Sequence, residues 1–138
     1  MNLPNDAILH DIFKLETIAV IGCSTNPTKA AHNIPKYMYE QGYNVIPVNP
    51  HTTENIFGQV TYGSLADVPV KIDMVNVFRP SSEMPTVINT ILGRNDSNIL
   101  WMQLGISHPE AVKLAESNGR VVIQDECLMV EHRRIKGV

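Results

Sequence analysis

Cys23 and Cys127 are the only two cysteines of this 138-residue chain. They are too few for a disulfide scaffold and are not spaced as a C-x-x-C redox or zinc pair, so both are expected as reduced thiols. Basic residues are also scarce: 11 Lys and Arg against 14 Asp and Glu give a formal charge of −3. That balance provides no general cationic surface for a phosphate backbone and speaks against a nucleic-acid partner. No apolar run approaches the roughly 18 residues that span a bilayer, so no membrane partner is expected. Residues 1–13 carry Asp6 and Asp11 and lack the basic and apolar regions of a secretory signal. The expected location is the cytoplasm. What remains is ordinary, with 43% hydrophobic and 18% charged residues, in a chain sized for one domain over residues 1–138 with a full core.

Five short β-rich runs recur along the chain, at residues 17–22 (TIAVIG), 43–48 (YNVIPV), 72–78 (IDMVNVF), 98–104 (NILWMQL) and 120–123 (RVVI). Several are continuously apolar rather than alternating, the mark of strands covered on both faces in a parallel sheet. Helical patterns separate them. Met84, Val87, Ile88, Ile91 and Leu92 line one face of a helix opened by Ser81 or Ser82 and closed by Gly93. Ser107 and Glu110 have capping-box spacing around Pro109, and Asn118-Gly119 ends that helix. A helix after the first strand is placed at residues 33–41, because Pro35 would remove a hydrogen bond from one begun near Lys29. Residues 7–15 and 128–134 supply a leading and a terminal helix. Pro47 conflicts with an interior strand, since it donates no ladder bond. Residues 49–70, with Pro50, Gly58, Gly63 and Pro69, read as a surface excursion with a short turn of its own. Strict alternation of strand and helix predicts a three-layer, doubly wound, Rossmann-like α/β sandwich of five parallel strands, in the order 3-2-1-4-5.

A ligand of such a sheet lies outside the carboxyl ends of the strands. The residues expected there are Gly22-Cys23-Ser24-Thr25-Asn26-Pro27, Asn49-Pro50, Phe78-Arg79-Pro80 and Gln103-Leu104-Gly105-Ile106. The first tip offers backbone N–H groups and the hydroxyls of Ser24 and Thr25 to a phosphate beside a helix start. It is neither G-x-G-x-x-G nor a Walker loop, and spacing alone reads it equally well as a tight turn that needs Gly22 for packing. Asn49 stands where a dinucleotide fold places the acid that holds an NAD ribose, and a neutral residue better tolerates a phosphorylated ribose. Lys29 and Arg79 are candidate phosphate partners, although surface charges are more often simply solvated. Phe78 is either a stacking surface for a base or a core residue.

Reactive chemistry is sparser. Cys23 adjoins a helix start that would lower a thiol pKa, but buried inert cysteine is the commoner case. His10, His32, His51, His108 and His132 are dispersed, and Cys127 with His132 makes only two metal ligands, so no metal site is expected. No catalytic residue is assigned, and an enzyme is not expected.

Taken in order, IAVIGCSTNP, GYNVIPVNP, DMVNVFRP, WMQLGI and QDEC followed by VEH resemble the small stand-alone CoA-binding domain proteins. These are similar in turn to the N-terminal CoA-binding domain of the succinyl-CoA synthetase alpha subunit. The resemblance covers about Thr17 to His132. It implies a Rossmann-like domain that binds coenzyme A, with Ser24, Thr25, Asn26 and Pro27 matching the phosphate loop and Met102, Gln103 and Leu104 the fourth tip. The synthetase carries a lysine in its second tip, where this chain reads Asn49-Pro50-His51-Thr52, so Lys29, Arg79 or a neutral donor must serve the phosphates. The synthetase's phosphohistidine and acyl-transfer machinery belong to a later domain without counterpart here. The expected function is non-catalytic binding of coenzyme A or an acyl-CoA. The alternatives are an NADP(H)-dependent enzyme and a nucleotide-responsive regulatory protein working through a Cys23–CoA mixed disulfide.

Overall fold

The side chain of Asn5 accepts from the N–H of Ala7 at 2.9 Å and so caps helix α1 (Asp6–Ile12). The computed structural model describes residues 5–138; residues 1–4 of the stretch weighed as a secretory signal lie outside the described residues. After α1 come β1 (Thr17–Ile21), α2 (Ala30–Glu40), β2 (Asn44–Val48), β3 (Met74–Val77), α3 (Met84–Leu92), β4 (Ile99–Met102), α4 (Pro109–Ser117), β5 (Val121–Ile123) and α5 (Leu128–Lys136). All neighbouring strands pair in parallel, and the fold is the expected Rossmann-like sandwich.

The order across the sheet is β2-β1-β3-β4-β5, which corrects the expected 3-2-1-4-5. Two physical features select it. Every residue of β3 is buried, as suits a strand between β1 and β4. Pro47 makes β2 an edge strand. Tyr62 donates its N–H to the Pro47 carbonyl at 3.1 Å from the side away from β1. Because N–H and C=O of one strand residue point the same way, the missing donor of Pro47 faces that outer side and no bond to β1 is lost.

Side chains alternate between two apolar layers. Ile18, Val20, Met74 and Trp101 pack with α1, α2 and α5, whereas Ala19, Val75, Val77, Leu100 and Met102 pack with α3 and α4. Trp101 is fully buried, and its indole N–H donates to the Glu126 carbonyl at 2.9 Å.

The excursion between β2 and β3 is more than a surface loop. Leu65 and Val68 are buried in the α3–α4 layer; Leu65 opens and Val68 follows a 3₁₀ turn (Leu65–Asp67) capped by Ser64, whose hydroxyl oxygen accepts from the N–H of Ala66. Arg94 clamps it: its guanidinium donates to the carbonyls of Leu65, Val68 and Val70 at 2.9, 3.0 and 3.0 Å and pairs with Asp96 at 2.8 Å.

Two helix starts also depart from expectation. α4 is capped by His108 rather than Ser107, the His108 Nδ1 accepting from the N–H of Ala111 at 3.1 Å, with Pro109 in the first turn where its missing donor costs nothing. α2 begins at Ala30, so Pro35 lies inside it. The absent N–H of Pro35 leaves the Ala31 carbonyl without its helical donor, and the N–H of Ser24 takes that place at 3.0 Å. A proline that conflicts with the helix thus anchors the loop after β1. α1 ends at Ile12 rather than at residue 15; other boundaries agree with expectation to within two residues.

Candidate ligand groove

The carboxyl ends of β1, β2 and β3 open onto a groove of about 240 Å³. Its apolar floor includes Ile21, Val48, Leu65 and Val87, and its rim carries Gly22, Pro50, His51, Arg79 and Glu83. This is the switch point of the sheet: the chain leaves β1 toward α2 in one layer and leaves β3 toward α3 in the other. Gly22 has φ +83°, and a Cβ there would stand 3.1 Å from both Arg79 Cδ and the Phe78 carbonyl oxygen. The first and third tips touch at this glycine, where a side chain would be both strained by the positive φ and crowded by its neighbours.

Charge on the rim is paired. Arg79 Nε donates to Glu83 Oε1 at 3.1 Å and Nη2 to Oε2 at 2.7 Å, a two-bond fork one helical turn apart. The Arg79 guanidinium holds the Glu83 carboxyl below the usual carboxylate range, with a smaller contribution from His51.

The loop after β1 uses most of its polar groups on itself. Besides the bond from Ser24 N–H to Ala31, His32 Nδ1 donates to the Ser24 carbonyl at 2.6 Å, and Ser24 Oγ accepts from the N–H of Asn26 at 3.0 Å. Asn26 Oδ1 accepts from the N–H and the hydroxyl of Thr28 at 3.0 and 2.7 Å, and Asn33 donates to the Pro27 carbonyl at 2.9 Å. Thr25, Asn26 and Pro27 are exposed. Lys29 is the exposed N-cap of α2 and makes no side-chain capping bond, leaving the first N–H groups of that helix without a cap acceptor.

The expected site residues therefore divide. Gly22, Pro50 and Arg79 meet in the groove. Asn49 joins two tips instead, donating from Nδ2 to the Cys23 carbonyl at 2.9 Å and accepting the His51 N–H on Oδ1 at 2.8 Å. Cys23 is fully buried, and burial pushes its thiol up to about 12, the inert state rather than a nucleophilic one. Phe78 is half-buried against the α1–α2–α5 layer. Met102 is core. Gln103 is buried too, its Oε1 accepting from Leu128 N–H at 3.2 Å at the start of α5 and from Asn76 Nδ2 at 3.4 Å. Leu104 and Gly105 are exposed, with the Gly105 N–H donating to Asp125 Oδ1 at 2.7 Å.

Sequence reading missed the far wall: Ser64 and Leu65 from the excursion, and Glu83, Thr86, Val87 and Thr90 from the turn before α3 and α3 itself. A signal was present for the second group. These four positions recur at i, i+3, i+4 and i+7, a stripe that shares Val87 with the buried face of α3.

A parallel sheet with a groove at this switch point defines a Rossmann-like protein with a crevice at its strand tips. Residues 16–133 match the CoA binding domain family, and the chain belongs to that family. It is 37% identical over 133 residues to the protein YneT of Bacillus subtilis, covering 96% of this chain and 97% of that one. An ADP-forming acetate–CoA ligase of Archaeoglobus fulgidus is 29% identical over 116 residues, and there the match spans 83% of this chain but 17% of the ligase. Among solved structures, a Thermus thermophilus protein superposes with a TM-score of 0.91 at 40% identity, over 96% of this chain and 99% of that one. A Pyrococcus horikoshii protein does so with a TM-score of 0.91 at 30% identity, over 97% and 94%. The family supports a CoA ligand and gives no support to the NADP(H)-dependent or regulatory alternatives. Among the described residues, no helix is long and apolar enough to cross a membrane.

Proposed function

We propose that this chain binds coenzyme A, free or acylated, in the groove at the ends of β1, β2 and β3, without catalysing a reaction on it. The observation that carries this reading is the meeting of Gly22, Pro50 and Arg79 around one crevice at the switch point of the sheet. Gly22 lets a ligand approach the backbone, and Arg79, with two donors held by Glu83, keeps its remaining N–H groups for a phosphate oxygen. The apolar floor suits an adenine ring or a pantetheine arm. Coenzyme A combines all of these features in one small molecule, and the family description and the ligase's name both point to it.

The side chains around the groove favour binding over reaction. Cys23 is buried and protonated, and the Glu83 carboxylate is held by Arg79, so neither a nucleophile nor a general base is poised there. Thermal unfolding with CoA, NADPH and NAD tests the reading. A ligand present at ~100 times its Kd adds about 2.7 kcal/mol to the folded state. CoA is expected to raise the midpoint while NADPH and NAD leave it unchanged, and Arg79→Gln is expected to weaken CoA binding about tenfold, the worth of a charged hydrogen bond. No rise with CoA would refute the assignment.

A further inference from the structure

We infer that Phe57 is a positioning residue for the ligand loop: its ring props the His32 imidazole, which in turn holds the Ser24 carbonyl and with it the loop that leaves β1 at Gly22. The inference rests on the CoA reading above. Phe57 and Gly58 form a two-residue turn, closed by hydrogen bonds of 3.0 Å in both directions between Ile56 and Gln59. Both turn residues have positive φ, 51° at Phe57 and 74° at Gly58, the hairpin turn for which Asn-Gly is the favoured pair. An aromatic side chain in the left-handed region is strained, so the backbone alone argues against phenylalanine here. What the ring gains is contact with α2. Its centroid lies 5.2 Å from that of His32 and 5.5 Å from that of Tyr39, the latter stacked at 18°, and those two residues stand about two turns apart on one face of the helix.

His32 carries this contact to the loop. Its Nδ1 donates to the Ser24 carbonyl at 2.6 Å, while the Ser24 N–H reaches back to the Ala31 carbonyl at 3.0 Å. The imidazole is half-buried, and packed on Phe57 it has less freedom to swing away from Ser24 than a solvated ring has. Gly22, at the head of the same loop, lines the groove. The excursion that carries Phe57 also supplies the groove's far wall through Ser64 and Leu65, and Ile56, buried in the α1–α2–α5 layer, fixes the root of the turn. One segment therefore lines the groove and braces the loop beside it. A loop held in one shape before the ligand arrives binds more tightly, because less ordering is left to the binding step.

Hydrogen exchange of the Ser24 amide, followed by NMR without ligand, and titration calorimetry with CoA test this on the unmodified protein, Phe57→Asn, Phe57→Tyr, His32→Ala and the double variant of Phe57→Asn with His32→Ala. Asparagine suits the turn and removes the ring, so the hairpin is kept while the prop is lost. Ser24 is expected to exchange faster in Phe57→Asn and in His32→Ala, by a larger factor than the β4 amides, which report global opening. CoA affinity should fall about threefold to tenfold in Phe57→Asn, the worth of one aromatic pair, and stay unchanged in Phe57→Tyr. Because Phe57 acts through His32, the double variant should bind no more weakly than His32→Ala alone. Additive losses, an unchanged affinity in Phe57→Asn, or an acceleration at Ser24 no greater than in β4 overturns the positioning role and leaves CoA binding standing. Absence of CoA binding by the unmodified protein overturns the assignment of the groove and this inference together.

Discussion

Replacing Asp96 by Asn tests whether the clamp that holds the groove's far wall has been read correctly. Asp96 accepts from Arg94 Nε and Nη2 at 2.8 Å each, from the N–H of Ile72 at 3.1 Å and from the Ser97 hydroxyl at 2.8 Å. These bonds, Arg94 first, pull its carboxyl from 3.8 down to about 2 against the opposing effect of burial. A folded value below the unfolded one means that stability is fully present above the unfolded value and is lost as pH falls through the folded one. A displacement of that size corresponds to about 2 kcal/mol, which solvent screening near the surface lowers to between about 1 and 2. Asp96→Asn keeps the shape and an acceptor for Ile72 but gives up the charge, so its expected cost is about 1–2 kcal/mol at neutral pH. Urea denaturation of both proteins across pH measures it. The gap should hold down to about pH 4, shrink below that, and close toward about pH 2 as the native carboxylate is protonated. A gap that persists unchanged at about pH 2, or no gap at neutral pH, would refute the reasoning.

Gly22→Ala combines an unfavourable left-handed backbone with a Cβ at 3.1 Å from Arg79 and Phe78, whereas Gly42→Ala at φ +97° meets nothing within 4 Å. Both should lose about 1 kcal/mol for the backbone, and denaturant midpoints should show a further loss of about 1 kcal/mol at Gly22 alone, with weaker CoA binding; equal losses would argue against contact between the two tips. Cys23, with its thiol at about 12 and no exposed surface, should take up no iodoacetamide in the folded protein at about pH 8 and full label in urea, as read by mass spectrometry of the peptide. The same protection should prevent a CoA adduct on exposure to oxidised CoA, and rapid labelling of the folded chain would contradict the burial.

Strand positions were legible because their burial on both faces leaves continuous apolar runs, and α3 because its buried stripe is complete from Met84 to Ile91. The phosphate loop was harder. Its hydroxyls and amides look available in sequence, yet bonds to residues up to eight positions away, such as His32 to the Ser24 carbonyl, engage them. Gln103 misleads in the same way, since its role at the start of α5 depends on Leu128, 25 residues on. The far wall of the groove escaped because Ser64 and Leu65 come from an excursion with no periodicity of its own, held in place by long-range contacts such as the bond from Arg94 to the Leu65 carbonyl.

The two prolines show where local rules carry information about topology. Pro47 conflicts with an interior strand, and the resolution lies in the sheet: β2 is moved to the edge, which forces β3 to the other side of β1 and places the switch point between β1 and β3. The same missing donor excludes 3-2-1-4-5, in which β2 has a strand on each side. Pro35 conflicts with a helix begun at Ala30, and the helix begins there nonetheless because the Ala31 carbonyl finds a donor in Ser24. The cost of a proline inside a helix, about 3 kcal/mol when nothing compensates, is offset by a bond that fixes the loop at the groove's edge. One proline thus sets where the groove lies in the sheet, and the other holds the loop beside it. Both effects come from a missing N–H, and in each case its position relative to the neighbouring chain determines the outcome.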